Sequence, residues 1–386
     1  MFDTIIVGSG FAGSVLAERL ASQKNKNILI LEKRNTVAGN CYDCFDEHGV
    51  LIHKYGPHLF HTDNKEVFNY LGQFTTWINY QHQVLAQVDG QKIPIPFNLN
   101  SLNMVFPRSL ASSLEKKLIN KYGFDVKIPI LDLIKEEDDE LKYLADFIYK
   151  KVFANYTSKQ WGCSPEEISP EVTARVPVFI SRDNRYFQDK YQAIPKRGYT
   201  HLFTNMLAHE NIKIMLNTDY RDVLSFDCDS GNLKLFGQPF FGDFIYTGMI
   251  DELFDWRFGE LPYRSLQFDF EHLKQDFYQQ ATTENYPDNY DFTRITEFKR
   301  MSGQEIQGTT IVREYPQDYD RTEVGKNTPY YPILNEDNTR RYKQYFELSQ
   351  KTNNLILVGR LAEYRYYDMD DIVARALEVY QEKFAT

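Results

Sequence analysis

Three glycines near the start of the chain have the spacing of a turn that binds a dinucleotide. They are Gly8, Gly10 and Gly13, in the pattern G-x-G-x-x-G. The first permits a tight turn, the second lets the backbone approach a pyrophosphate, and the third lets a helix pack closely on a strand. Glu32 follows 19 residues after Gly13, and its carboxylate can accept hydrogen bonds from ribose hydroxyls. Together these residues predict an adenine dinucleotide site.

The segments around these residues predict the βαβ unit that such a site needs. Thr4–Val7 and Asn27–Leu31 are short apolar runs, typical of buried parallel strands, and a helical pattern lies between them from Ala12 to Gln23. The N-terminus of that helix would direct free N–H groups and a partial positive charge at the phosphates.

The residues after the second strand favour FAD over NAD. Glu32-Lys33-Arg34 followed by Ala38-Gly39-Asn40 is similar to the extended fingerprint of FAD enzymes, and Gly359-Arg360 follows a last apolar strand. Lys54 to His58 contains Gly and Pro, which can hold His58 near the cofactor. The predicted cofactor residues are Gly8, Gly10, Phe11, Ala12, Gly13, Glu32, Lys33, Gly39, Asn40, His58, Arg360 and Met369.

Two further spacings are typical of other chemistry. Cys41 and Cys44 form C-x-x-C, but they lie in a predicted loop without a thioredoxin-like context, so ordinary cysteines are the favoured interpretation. His58 and His61 form H-x-x-H, for which no further metal ligands are placed nearby. Structural histidines are therefore the default interpretation, with His58 the better candidate for a site residue, and we expect no metal site.

Composition restricts the possible functions. The 386 residues indicate two or three domains, and the net charge of −10 argues against general nucleic-acid binding. We find no run near the roughly 18 apolar residues that a membrane span needs. The N-terminal residues lead directly into a strand without a recognisable signal peptide, and cysteine is rare, so we expect a cytoplasmic protein.

The rest of the chain predicts two insertions into the dinucleotide fold. Asp89-Gly90 lies between the predicted hairpin strands 83–88 and 92–95, residues 109–155 have a helical pattern, and 260–330 are strand-like. Three prolines predict that 161–189 is largely loop. The remaining predicted elements are a helix at 199–209, strands at 212–216, 243–246 and 354–358, and a closing helix at 370–383. We expect an FAD-binding domain from 1–75, 196–255 and 350–386. The other expected parts are a helical domain at 100–165 with a mobile lid at about 165–185, and an antiparallel-sheet substrate domain from 76–99, 186–195 and 256–349.

Several longer segments give a more specific indication. His53 to Thr62, Tyr156 to Gly162, Arg313 to Pro316 and Gly359 to Met369, in this order, resemble bacterial UDP-galactopyranose mutase along almost the whole chain. The resemblance implies an α/β fold: a Rossmann-like FAD-binding domain with an inserted helical domain and an antiparallel β-sheet domain. It also implies isomerisation of UDP-galactopyranose to UDP-galactofuranose, by attack of reduced flavin N5 on the anomeric carbon. The resemblance further implies that the product supplies galactofuranose for cell-surface glycans, that an external reductant such as NAD(P)H reduces the flavin, and that the protein is a homodimer.

The resemblance also assigns substrate residues. Arg294 and Arg175 match diphosphate-binding arginines and, with His58, are the predicted catalytic residues. Tyr156 matches a residue that stacks on uracil, and Trp161 one near the sugar. The other predicted substrate residues are Phe153, Thr157, Tyr186, Tyr331, Tyr366, Asp368 and His82. Glu314 matches an acidic residue near the site. His82 stands where some relatives have Asn, which leaves the sugar contacts open.

An amine-oxidase-like FAD oxidoreductase is the alternative. Such an enzyme would share the glycine pattern and Glu32, but it would not need two diphosphate arginines or the segment from Tyr156 to Trp161.

Overall fold

The computed structural model describes residues 2–162, 177–323 and 327–385. Arg175 and most of the predicted lid at 165–185 lie outside these residues. Within them, no helix has the length and apolar character needed to cross a membrane.

A five-stranded parallel sheet carries the glycine-rich turn. Its strands, in spatial order, are Ile212–Met215, Ile28–Leu31, Thr4–Val7, Asp243–Tyr246 and Leu355–Leu357. Helices Phe11–Lys24 and Met369–Phe384 pack together over one face, where Val15, Leu16 and Val373 are fully buried. Three distant parts of the chain therefore build one Rossmann-like α/β layer, as predicted.

The helical region is interrupted where the sequence predicts helix throughout 109–155. Its helices are Leu99–Val105, Arg108–Tyr122, Ile130–Leu133, Asp139–Ile148 and Asn155–Trp161, with a π-helical turn at Tyr149–Ala154. The helical prediction is wrong at Val126–Ile128, which is a strand paired with Val178–Ile180. Gly123, with φ +91°, ends the preceding helix, and Pro129 begins the next. The buried strand at 178–180 also corrects the prediction of loop there.

A seven-stranded sheet forms the other large layer. Its strands, in order, are Tyr331–Pro332, Tyr263–Leu273, Thr309–Asp318, Arg294–Glu297, Thr283–Asn285, Val84–Val88 and Gln91–Ile95. Neighbouring strands are antiparallel, except that Thr283–Asn285 runs parallel to Val84–Val88. The predicted hairpin around Asp89-Gly90 is confirmed.

Smaller elements fill the remaining chain. Phe60–Thr62, Tyr191–Pro195 and Trp77–Asn79 form one sheet, Leu224–Phe226, Leu233–Leu235 and Gln238–Phe240 a second, and Asp43–Phe45 with Leu51–His53 a third. Further helices are Lys65–Leu71, Tyr199–Met206, Tyr220–Val223, Ile250–Leu253, Phe298–Ser302 and Glu336–Ser349, with a 3₁₀ turn at Gly39–Cys41.

Candidate active site

A deep cleft opens at the C-terminal ends of strands Thr4–Val7 and Ile28–Leu31, the edge where open α/β sheets bind their ligands. It holds about 1350 Å³ of space between protein atoms, part of it open to solvent. We call it the cofactor cleft. Every predicted cofactor residue except Gly13 lines it: Gly8, Gly10, Phe11, Ala12, Glu32, Lys33, Gly39, Asn40, His58, Arg360 and Met369.

The glycines are required by close backbone approaches. A Cβ on Gly13 would lie 2.1 Å from the Gly8 carbonyl oxygen, so helix and turn touch there. Gly8 has φ +98°, and a Cβ on it would lie 2.2 Å from Thr247 Oγ1. A Cβ on Gly39 would lie 3.0 Å from Gly10 Cα, which brings two backbone segments together at the floor of the cleft. This cradle fits the pyrophosphate of a dinucleotide.

Glu32 is buried and already partly bonded. Its Oε2 accepts from the Ser9 backbone N–H at 2.9 Å and from Ser9 Oγ at 2.7 Å, and its Oε1 accepts from the Arg34 N–H at 3.0 Å. These bonds fix the carboxylate at the cleft wall, where a carboxylate oxygen can accept further bonds from a ribose. Sequence reasoning missed Ser9, although its place between two glycines was a usable signal.

Arg34 contributes an unpaired donor to the cleft. One Nη donates to Asn40 Oδ1 at 3.0 Å, and the guanidinium lies 4.0 Å from the centre of the Tyr55 ring. The other, Nη1, is buried without a partner among the described residues. A buried guanidinium N–H needs an acceptor, and a cofactor phosphate or ribose oxygen would supply one. Lys33, the predicted residue, is instead exposed at the rim.

His58 is a neutral imidazole at the cleft. Its ring Nδ1 lies 2.7 Å from the Gly56 carbonyl oxygen, which assigns the proton to Nδ1. Its backbone N–H donates to His53 Nδ1 at 2.9 Å, so His53 carries its proton on Nε2. Burial lowers the pKa of both histidines to about 3. His58 can therefore position and polarise a bound group near neutral pH, but it carries no positive charge.

Arg360 connects the cofactor cleft to two predicted substrate residues. Its Nη1 donates to the Tyr330 carbonyl oxygen at 3.1 Å, and its guanidinium lies 5.2 Å from the Tyr331 ring and 5.0 Å from the Tyr366 ring. The two rings stack with centroids 5.8 Å apart. Tyr366 donates its hydroxyl hydrogen to Asp368 Oδ1 at 2.9 Å, and Asp368 caps the last helix.

A second set of residues surrounds Arg294. Its Nε lies 2.9 Å from Glu314 Oε2, and Glu314 is fully buried. Burial opposes the charged form of Arg294, but Glu314, Tyr156 and Tyr331 outweigh it and raise the pKa. Burial raises the pKa of Tyr156 to about 12. The charge of Arg294 opposes this rise, and Tyr186 and Glu314 add to it. We call this set the arginine cluster: Arg294, Glu314, Tyr156, Tyr186 and Tyr331.

The helix Asn155–Trp161 brings Trp161 to the cluster. Trp161 lies 6.0 Å from Tyr331, ring centre to ring centre, while Thr157 on the same helix and Phe153 just before it are buried. The π-helical turn before this helix shifts the register, as such turns often do at functional sites. Tyr331 therefore links the arginine cluster, through its stack on Tyr366 and Arg360, to the cofactor cleft.

His82 lies next to the cluster. Its backbone carbonyl accepts from the Tyr186 N–H at 2.7 Å, and its ring centre lies 5.8 Å from that of Tyr186. Burial, with Arg294 and His61 nearby, lowers the pKa of His82 to about 3. Contacts and electrostatic interactions thus link most of the predicted substrate residues: Arg294, Tyr156, Tyr186, Tyr331, Trp161, Tyr366, Asp368 and His82. Phe153 and Thr157 are buried close to Tyr156 in the sequence, and Arg175 lies outside the described residues.

The cysteines show no sign of dithiol chemistry. Cys41 and Cys44 are both free, and burial raises the pKa of the Cys41 thiol. Cys41 Sγ lies 3.7 Å from Met369 Sδ, which is a packing contact in the cleft wall. Among the described residues no group of three His, Cys, Asp or Glu is placed to hold a metal ion.

The sheet, its glycine cradle and the unpaired Arg34 donor define a dinucleotide-binding protein of the Rossmann-like α/β class. A sequence model described as NAD(P)-binding Rossmann-like domain matches residues 6–74, and one described as UDP-galactopyranose mutase matches residues 151–366. The chain is 34% identical over 384 residues to dTDP-fucopyranose mutase of Escherichia coli, covering 99% of this chain and 98% of that protein. It is 35% identical over 381 residues to UDP-galactopyranose mutase of Mycoplasma pneumoniae, covering 97% and 94%.

The solved structures agree in fold. A crystal structure of reduced UDP-galactopyranose mutase superposes with a TM-score of 0.73 at 15% identity, covering all of this chain and 94% of that one. The chain belongs to the UDP-galactopyranose mutase family, whose enzymes are flavin-dependent, and FAD is its cofactor. Flavin-containing amine oxidase A of Bos taurus, of the alternative class, matches only 24% of this chain.

Proposed function

We propose that the protein interconverts the pyranose and furanose forms of UDP-galactose, with its FAD in the reduced state. The observation that carries this proposal is the position of the arginine cluster, which the Tyr331–Tyr366–Arg360 stack joins to the cofactor cleft. A nucleotide diphosphate at Arg294 would thus place its sugar beside the flavin. Bound FAD in its reduced form supplies the nucleophile for the anomeric carbon, so the reaction has no net redox change.

The residues of the chain hold and then stabilise the diphosphate that leaves. Arg294 provides a rigid fork of donors, and the phenols of Tyr156, Tyr186 and Tyr331 stand around it. Bonds from these groups strengthen as negative charge develops on the departing diphosphate, which is where binding accelerates a reaction. Glu314 balances the charge of Arg294, so a diphosphate needs a second cation. We propose Arg175 for this role.

The uridine and sugar contacts follow the same geometry. Phe153, Tyr156 and Thr157 would line the uridine pocket, and Trp161 and the neutral His82 would contact the sugar. Asp368 would hold the Tyr366 ring in place through their hydrogen bond, and because a phenol has one O–H, Tyr366 would turn that hydrogen to the diphosphate when the nucleotide binds.

A second substrate is favoured by a specific observation, the full-length match to a dTDP-fucopyranose mutase. Compared with UDP-galactose, dTDP-fucose has a methyl group on the base and lacks the ribose 2′-hydroxyl and the sugar 6-hydroxyl. Both nucleotides carry the diphosphate that the arginine cluster is proposed to bind, so the cluster does not discriminate between the two substrates.

One comparison tests the proposal. The dithionite-reduced protein is incubated with the furanose forms of UDP-galactose and dTDP-fucose in turn, and the pyranose product is measured by chromatography. We expect the higher kcat/KM with UDP-galactofuranose. A higher kcat/KM with dTDP-fucofuranose would move the assignment to the second substrate, and turnover of neither would contradict the proposed reaction.

The remaining proposals follow from the family. We propose a cytoplasmic homodimer that supplies galactofuranose for cell-surface glycans and is reduced by an external donor such as NAD(P)H. We also propose the three-part domain division of the sequence analysis, with 165–185 as a mobile lid.

A further inference from the structure

The side chain of Lys159 ends in a cage of backbone carbonyl groups. Its Nζ lies 2.5 Å from the carbonyl oxygen of Tyr286, 2.9 Å from that of Asp288, 3.1 Å from that of Tyr290 and 3.2 Å from that of Phe292. An ammonium group has only three N–H donors, so four acceptors share them. Rings of carbonyl oxygens are also how proteins replace the hydration shell of a small monovalent cation.

The cage belongs to a loop whose base carries Arg294. Asn285 pairs with Arg294 in the ladder between two strands of the large sheet, and the Tyr286 N–H donates to the Thr293 carbonyl oxygen at 2.8 Å. The loop from 286 to 292 closes above this pair. Its alternate carbonyls turn inward on the ammonium. That of Asp288 also accepts from the Tyr290 N–H at 2.8 Å, and without the ammonium the other three would point at one another.

The other end of Lys159 lies on the helix Asn155–Trp161, between two candidate substrate residues, Tyr156 and Trp161. Arg264, on the strand Tyr263–Leu273 of the seven-stranded sheet, binds the C-terminus of this helix. Its Nε donates to the Gln160 carbonyl oxygen at 3.2 Å, and its Nη2 lies 3.4 Å from that of Lys159. Gly162, with φ +70°, ends the helix so close that a Cβ there would lie 2.6 Å from Arg264 Nη1.

Carboxylates and aromatic rings surround the end of the lysine side chain. Burial lowers the pKa of Lys159, while the carboxylates of Asp288 and Asp291 act in the opposite direction. Aromatic rings close the loop around the cage, since Tyr286 lies 5.0 Å from Tyr290 and 4.9 Å from Phe292, centre to centre.

We infer that Lys159 is a positioning residue. Its ammonium group holds the 286–292 loop, and with it Arg294, at a fixed distance from the helix that carries Tyr156 and Trp161. The four-carbonyl cage is a small-cation site that the chain fills with its own side chain. Its effects on turnover and on nucleotide binding rest on the proposed function, but its effect on loop order does not.

Two variants separate the cation from the volume it occupies. Lys159→Ala removes Cγ, Cδ, Cε and the ammonium, the atoms that n-propylammonium contains. Lys159→Met fills most of that space with an uncharged side chain. Lys150→Ala is the matched control, because Lys150 is exposed and pairs only with Asp146 four residues earlier among the described residues.

The first readout is amide hydrogen exchange in the 286–292 loop of the oxidised, FAD-loaded protein, which does not depend on turnover. We expect exchange at least about tenfold faster in both Lys159 variants and unchanged in Lys150→Ala. We also expect UDP and dTDP to bind both Lys159 variants about tenfold more weakly by calorimetry. Equal exchange rates in Lys159→Ala and the wild-type protein would overturn the inference.

The second readout is chemical rescue. In Lys159→Ala, n-propylammonium chloride should restore most of the lost nucleotide affinity. If the proposed reaction holds, we expect this variant to lose kcat/KM roughly 100-fold and n-propylammonium to restore most of that loss as well. Tetramethylammonium, which has no N–H donor, and sodium chloride at equal ionic strength should not, and Lys159→Met should not respond. Equal responses to n-propylammonium and tetramethylammonium would refute a donor cage.

Discussion

Arg294 and Glu314 form a buried ion pair in which each residue depends on the other. Removing the arginine completely would leave a buried carboxylate without a partner, which destabilises proteins by about 3–5 kcal/mol. Arg294→Lys avoids this problem because it keeps the charge and loses the fork of donors. It therefore separates diphosphate recognition from folding.

We expect Arg294→Lys to lower kcat/KM by about 100-fold while the FAD spectrum and the melting temperature stay near wild type. Steady-state kinetics with reduced protein measure kcat/KM, absorbance measures the FAD spectrum, and thermal melts give the melting temperature. Arg340→Ala, an exposed arginine paired with Asp337, is the control and should leave kcat/KM unchanged. Undiminished turnover in Arg294→Lys would show that the fork does not hold the diphosphate.

His53 makes stability depend on pH. Its folded pKa of about 3 lies below the ordinary value of 6.5, so between these values the unfolded chain binds a proton that the folded chain does not. Stability is therefore complete above pH 6.5 and is lost as pH falls. At pH 5 the loss from this one group is about 2 kcal/mol.

His53→Gln keeps an acceptor for the His58 N–H but cannot be protonated. Urea unfolding of the FAD-loaded protein at pH 8 and at pH 5 should show wild type losing about 2 kcal/mol more than the variant. If the two proteins lose the same free energy of unfolding, His53 is not buried as a neutral ring.

The glycine turn shows which elements the sequence could predict. The spacing of Gly8, Gly10 and Gly13 predicted the turn, its helix and the position of Glu32 at the cleft, because those requirements are local. It could not predict the contact of Gly39 with Gly10, the Ser9 bonds to Glu32 or the unpaired donor of Arg34, because they depend on how distant segments meet.

Gly39→Ala tests this contact at the level of the element. The added methyl group would lie 3.0 Å from Gly10 Cα at a residue with φ +53°, so the cradle must widen. We expect the purified variant to retain less than about half the FAD of wild type, measured by absorbance at a fixed protein concentration. Gly90→Ala is the control, because φ is +80° but nothing lies within 4 Å of the added atom. Full FAD content in Gly39→Ala would argue against close packing at the pyrophosphate.

The strand Val126–Ile128 shows where the interpretation of the sequence failed. Residues 124–128 do alternate between apolar and polar, between Gly123 and Pro129, but the run is short and lies between two helical patterns, so the prediction of one continuous helical region passed over it. Its partner Val178–Ile180 lies about 50 residues away and supplies the ladder that makes it a strand. The π-helical turn at Tyr149–Ala154 could not be predicted from the sequence, since it changes the helix register without changing the hydrophobic pattern.

At the scale of the whole molecule, the chain joins two sites that different layers build. The parallel sheet supplies the cofactor cleft, and the seven-stranded sheet with the helical region supplies the arginine cluster. Residues 163–176, which include Arg175, lie outside the described part, so the second cation of the diphosphate site remains a proposal from the sequence. The resemblance predicted that both sites exist, but only the fold shows the Tyr331, Tyr366 and Arg360 side chains that connect them.

The most direct test of this arrangement follows one sample through a redox cycle. The protein is assayed with UDP-galactofuranose as purified, after reduction with dithionite, after reoxidation in air, and after a second reduction, with the flavin spectrum recorded at each stage. We expect pyranose to form only in the two reduced stages, with no oxidant consumed in proportion to product. Equal turnover in the oxidised stages would contradict the proposal that the nucleotide bound at Arg294 reacts at a reduced flavin.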